Sequence, residues 1–319
     1  MGDHGGSAAA TAGAAAPERC GRVTALLDAT GTFFRPAREA FPDARAAHWA
    51  HAARIDPGAV GPGGTWRLDF RCFAIARPGG RWVLVDAGVG PADGPAARWA
   101  PVPGRLPEAL ARARIAPADV DTVVLTHLHE DHAGWSVDAT GEPLFPAARY
   151  VVQRAEVAAL DPADPVRRWA VDPLRAAGQL HEVEGRHRLG DGLTLLPTPG
   201  HTPGHQSVLV AAAGGRGRDV VVTGDVWVHA VQLADPAVAY AHEVDPAAAR
   251  ASRVDLLARA VGRGALLATA HLTRAFVEPT ADGTGGEVER PSDQFQEAAE
   301  GEHEPAEGDE GGEVPVELR

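Results

Sequence analysis

Two cysteines in a chain of 319 residues, Cys20 and Cys72, are too few for a disulfide framework. Neither lies in a metal-like spacing, so they fit a reducing compartment. No apolar stretch approaches the roughly 20 residues needed to span a bilayer. The opening, MGDHGGSAAATAGAAAPERC, lacks the basic start and leucine-rich centre of a secretion signal. The expectation is a cytoplasmic protein with no membrane partner, and with residues 1–20 as a disordered leader. Lysine is absent: all 30 basic residues are arginine, a mark of GC-rich coding rather than of function.

A basic surplus is missing as well. The net charge is −13, but Pro279 to Arg319 carries 13 acids against two arginines, a net of −11, which leaves the body near −2. A near-neutral body argues against nucleic acid as a partner. The segment 279–319, rich in Gly, Pro and Glu, cannot bury enough apolar surface to fold and is expected to be an acidic disordered tail. That leaves residues 21–278 as the folded domain, 45% of the whole chain being hydrophobic.

Within that body, short apolar runs alternate with turns. Strands are expected at 22–29, 66–76, 81–88, 120–126, 148–153, 193–197, 207–213, 219–224 and 265–270. WRLDFRCFAIA (66–76) alternates and reads as half-buried, with Leu68, Phe70, Cys72 and Ala74 on one face. RPGG then turns it into the second arm of a hairpin. Helices are expected at 106–115, near 154–160, over 165–178 with an interruption at Pro173, and over 245–264. Many strands with few helices suggest a mixed-sheet α/β domain.

The most telling segment is VDTVVLTHLHEDHAGW (120–135), where a β-branched run ends in His127, His129, Asp131 and His132. LTLLPTPGH ends at His201, DVVVTGD at Asp225 and ALLATAH at His271. Four times an apolar run stops and a metal-capable side chain follows. Seven nitrogen and oxygen candidates exceed what one zinc needs and suit two divalent ions. If 127–131 is extended, His127, His129 and Asp131 point to one side, and HAGW supplies the turn that brings in His132. Asp225, with two oxygens, is the natural bridge. The donor set suits zinc first, with iron, manganese and cobalt as alternatives.

HLHEDH, then PGHTPGH, TGD and AH, in that order, resemble the metallo-β-lactamase superfamily over roughly residues 22–277. The region after TGD looks like the branch of methyl parathion hydrolase and the quorum-quenching lactonases. The resemblance implies a four-layer αβ/βα sandwich of two mixed sheets flanked by helices, with the site at one edge. It implies one metal on His127, His129 and His201, a second on Asp131, His132 and His271, and Asp225 between them. His205 and Asp86 are expected behind the ligands, holding a loop and a ligand histidine in place. Phe33, Phe34, Trp135, Trp227 and His229 are candidates for the pocket wall. His4, His48, His51, His181, His187, His242 and His303 are read as ordinary surface or core histidines.

The expected activity is dinuclear hydrolysis of a small ester, lactone or phosphotriester by a hydroxide shared between the metals, with Asp131 and Asp225 as the catalytic carboxylates. A homodimer is an open expectation. Alternatives are a thioesterase resembling glyoxalase II, or a non-catalytic metal-binding module. One departure stands out. The lactonases of this branch carry a tyrosine three residues after the bridging aspartate, and here that place is Val228. Oxyanion help is then expected from the metals or from His229.

Overall fold

The computed structural model describes residues 17–98, 101–215 and 217–280. The expected tail lies outside these residues apart from Pro279 and Thr280, as do residues 1–16 of the expected leader. Arg19–Cys20, also within that leader, forms a short strand, β1, against Val23 and Thr24.

β1, β2 (Val23–Thr32), β3 (Arg67–Ala76), β4 (Trp82–Val85), β5 (Val120–Val124), β6 (Arg149–Gln153) and β7 (Leu180–Val183) form one sheet in sequence order. β1 to β4 pair antiparallel, and β4 to β7 pair parallel. β8 (His187–Gly190), β9 (Leu193–Pro197), β10 (Gln206–Val210), β11 (Val220–Val222), β12 (Leu266–Ala268) and β13 (Phe276–Val277) form the second sheet, in reverse order. All its pairs are antiparallel except β11 with β12.

Alternation along the strands builds the layers, because successive side chains point to opposite faces. Val83, Val85, Phe73 and Ile75 meet Val208, Val210, Val220 and Val222 in a core between the sheets. The intervening Leu84, Cys72 and Ala74 face a second core with Leu110 and Leu174. On the far side, Leu209, Val221 and Leu267 face a third core with Ile55, Val231 and Leu256. The result is helix, sheet, sheet, helix, as the motifs implied. It corrects the half-buried reading of 66–76: β3 is buried on both faces from Leu68 to Ile75, because the second sheet covers the side expected to meet water, with Phe73 and Ile75 in the core between the sheets. The helix Ala46–Ile55 in the fourth layer was not expected, since its alanine- and histidine-rich sequence has a weak apolar stripe.

Pro173 sits in the first turn of the helix Asp172–Ala176, directly after a π-helical stretch over Arg167–Val171. The missing amide of proline accounts for the expected interruption.

Candidate metal centre

The seven candidates leave four chain segments at the same edge of the sandwich. β5 runs into His127, β9 into His201, β11 into Asp225 and β12 into His271. The HLHEDH run does not stay extended. It breaks into a helical turn, Glu130–Ala133, immediately after His129, so Asp131 and His132 swing away from His127 and His129.

Two groups result. His127, His129, His201 and Asp225 form one, and Asp131, His132 and His271 the other, with the donor atoms of each within 4.8 Å of one another. His129 Nδ1 lies 3.0 Å from both His127 Nε2 and His201 Nε2. In the second group, His132 Nε2 and His271 Nε2 are 3.3 Å apart, and each is 3.5 Å from Asp131 Oδ2. A tetrahedral ion with bonds of about 2.0–2.1 Å spaces its donors roughly 3.3 Å apart, so both groups have the size of a metal shell. Asp225 stands between them. Its Oδ2 is 3.3 Å from His201 Nε2 and 3.8 Å from His127 Nε2, and its Oδ1 is 3.1 Å from His271 Nε2 and 3.2 Å from His132 Nε2.

The electrostatics are those of crowded donors. Burial holds His127 and His201 well below the ordinary imidazole range, and neighbouring imidazoles reinforce it. Burial would do the same to His132, but Asp225, Asp131 and Asp86 outweigh it and raise it. Burial would raise the Asp225 carboxyl, yet His271 and His132 draw it well below the usual range. Five imidazoles and two carboxylates turned toward shared centres fit divalent cations, which prefer neutral imidazole and ionised carboxylate.

Asp86 and His205 lie behind the two donor groups. Asp86 takes three hydrogen bonds: from the Thr126 amide at 2.7 Å, the Thr126 hydroxyl at 2.9 Å and His132 Nδ1 at 2.9 Å. Its backbone is left-handed, with φ 62°, an uncommon conformation for a non-glycine residue, and these partners hold it there. His205 Nε2 accepts the Asp225 amide at 2.9 Å, which leaves Nδ1 to donate to the Thr198 hydroxyl at 2.8 Å. Both ring nitrogens are thereby engaged away from the donor groups. Gly224 must be glycine: φ is +52°, and a Cβ would stand 2.7 Å from His205 Nε2.

Glu156, in the helix Arg154–Ala159, was not anticipated. Its Oε1 accepts the Leu128 amide at 3.0 Å and its Oε2 the Gly204 amide at 2.8 Å, so one buried carboxylate ties the HLHEDH loop to the loop of His201. A lone glutamate in RAEVAA carries no sequence signal for that task.

A cavity of about 390 Å³ opens over the donor groups, within the usual range for small-molecule sites. Phe33 and Phe34 line it, Trp66 and Tyr240 join them unanticipated, and so does His242, which the sequence had suggested was an ordinary histidine. The Tyr240 ring stacks on His201, centroids 6.0 Å apart and planes at 16°. Trp135, Trp227 and His229 are corrections. Trp135 packs under the first sheet and donates to Asp28 Oδ1 at 3.2 Å. Trp227 is fully buried in the third core. His229 points back into a nest of Phe41, Trp49 and Trp66, where its Nδ1 accepts the Val231 amide at 3.0 Å and burial lowers its pKa to about 3. Val228 does line the cavity and brings no polar atom to it beyond its backbone.

An N-acyl homoserine lactonase from a Bacillus species is 35% identical over 106 residues, 33% of this chain and 39% of the lactonase. Human metallo-beta-lactamase domain-containing protein 1 is 38% identical over 145 residues, 46% of this chain and 43% of that protein. The chain therefore spans less than half the length of either relative. Among solved structures, the hydrolase AbOPH of the beta-lactamase superfamily superposes with a TM-score of 0.68 at 26% identity, covering 84% of this chain and 94% of AbOPH. AidC, a dizinc quorum-quenching lactonase, superposes with a TM-score of 0.66 at 18% identity, covering 83% and 94%, a likeness of fold. Residues 71–271, more than half of the chain, match the metallo-beta-lactamase superfamily. The chain belongs to that superfamily.

Proposed function

We propose that this chain is a two-metal hydrolase of neutral, largely apolar esters, with aryl esters and phosphotriesters accepted at least as well as lactones. The observation that carries it is the Asp225 carboxylate, one oxygen turned to His201 and His127 and the other to His132 and His271. His127, His129 and His201 would hold one cation, Asp131, His132 and His271 the other, and Asp225 both. Such a pair, zinc by donor type, supplies a nucleophilic water at neutral pH and polarises the oxygen of the scissile bond.

The chain's own residues do the rest. Asp86 fixes the ring of His132, and the backbone carbonyl of Asp69 fixes His271 by accepting from its Nδ1 at 3.0 Å. His205 pins the backbone of Asp225. Asp131 and Asp225 both reach the cavity wall and are the carboxylates placed to pass a proton to a leaving group. Phe33, Trp66, Phe70 and Tyr240 give that wall an apolar side, which favours an aryl or acyl group and excludes water. The AbOPH and lactonase likenesses support a hydrolase reading of this kind.

A hydrolysis panel of aryl ester, alkyl ester, homoserine lactone, thioester and aryl phosphotriester tests the proposal on protein loaded with zinc, manganese, iron or cobalt. Turnover of the aryl ester or phosphotriester that chelation abolishes supports it. Metal-dependent turnover of the thioester alone would transfer the reading to a thioesterase, and no turnover of any class would overturn it.

A further inference from the structure

Residues 236–243 form an arch over the cavity, and a buried ion pair closes its base. Arg253 rises from the helix Pro246–Arg263 with its side chain 1% exposed, and Glu243 faces it, 2% exposed. The guanidinium grips both ends of the arch. Its Nη1 donates to Glu243 Oε1, and its Nε donates to the Pro236 carbonyl at 2.9 Å. Gln232, in the helix Ala230–Ala234, joins from the other side. Its amide nitrogen donates to the same Glu243 oxygen at 3.1 Å, and its carbonyl oxygen accepts the Val228 amide at 3.1 Å. Tyr240 and His242, carried by the arch, face the cavity with Val228.

The arch is also fastened to the donor loop. The Val244 amide donates to the His201 carbonyl at 3.2 Å, and the Asp245 amide to the Gly200 carbonyl at 2.9 Å. The Ala241 amide donates to the Ala40 carbonyl at 2.9 Å. Tyr240 thus rests on His201 by its ring and through its own strand of chain.

A buried ion pair is a poor source of net stability, since desolvation offsets the attraction and apolar residues of like volume serve as well. What a planar guanidinium offers instead is direction, several donors at fixed angles. We propose that Arg253 and Glu243 are positioning residues: they set the height of the arch, and so the placement of Tyr240 and His242 that decides how large an apolar group the cavity admits.

The kinetic half of the test rests on the hydrolase proposal, and the exchange half does not. The double variant Glu243→Leu/Arg253→Met removes both charges at similar volume and is expected to stay folded with its metal content unchanged. Amide hydrogen exchange at Ala241 and Val244 should rise at least tenfold, while amides in β5 and β10 keep their rates. KM for an aryl ester should rise about fivefold or more, with kcat for ethyl acetate held within twofold. Arg253→Lys keeps the charge without the fork and should show the same pattern at smaller size, which keeps the test open if the double variant fails to fold. Unchanged exchange in the arch, exchange rising equally in every segment, or looser exchange with an unchanged KM would each overturn the proposal. If no ester is turned over, the hydrolase reading fails separately, and exchange alone decides whether the pair positions the arch.

Discussion

Asp86 and His132 meet at 2.9 Å, carboxylate oxygen to Nδ1, across the mouth of the first sheet. The strained backbone of Asp86, the Thr126 amide and the helical turn that carries His132 all converge on that contact. It aims His132 Nε2 at Asp225. Replacing Asp86 with asparagine removes the charge that holds the ring, and metal affinity should fall about 10- to 100-fold. Competition titration against a chelator measures it. An unchanged affinity would mean that His132 needs no support.

Glu156 should matter as much without touching the site. Glutamine has one acceptor oxygen, so in Glu156→Gln either the Leu128 or the Gly204 amide faces an NH2 group. The expected cost is about 1–3 kcal/mol of stability, with faster metal release, because a buried donor is left unpaired. Denaturant midpoints and metal off-rates check both. A loss of stability below about 0.5 kcal/mol, the scale of an ordinary surface substitution, would contradict the clamp.

Asp28 gives a pH signature. Burial raises its pKa from 3.8 to about 6, against the hydrogen bonds it accepts from the Val89 and Leu106 amides and Trp135. A carboxyl with a raised folded-state pKa binds its proton more tightly when folded. Its contribution is therefore full below about pH 4 and is lost as pH rises through about 6. The shift corresponds to roughly 3 kcal/mol. The stability of the protein relative to Asp28→Asn should fall by that order between pH 4 and pH 7, then level off. A relative stability that rises with pH would reverse the sign and reject the assignment.

His229 supplies a fourth prediction. Its ring caps the helix Ala230–Ala234 and lies among aromatics away from the cavity. His229→Ala should lower stability by about 1–3 kcal/mol through the lost cap and packing. Its effect on kcat/KM should be the same for good and poor leaving groups. A selective loss with poor leaving groups would return His229 to the reaction.

The seven candidate ligands stood out because an apolar run at a strand end precedes each of the four segments that carry them, a pattern that local sequence carries. Asp86 and His205 were singled out through their motifs. The pocket wall was not. Trp227 and His229 adjoin Asp225 in sequence, but the chain turns at Gly224 and buries them, while Tyr240, fifteen positions beyond Asp225, folds back onto His201. Glu156 and Arg253 were invisible for the same reason: their partners are 28 or more residues away in one case, and lie in a turn without a motif in the other. The half-buried reading of β3 failed because a strand's pattern does not disclose whether a second sheet covers its other face, as it does at Phe73 and Ile75.

Metal content is the most direct measurement of the central claim. Purified protein saturated with zinc and freed of excess should hold close to two equivalents per chain, and Asp225→Ala should lose both together because its carboxylate faces both groups. His205→Ala should keep its metal and lose only part of its activity. A reproducible value of one equivalent or less in the saturated protein, or an Asp225→Ala variant that still holds two, would contradict the two-metal account.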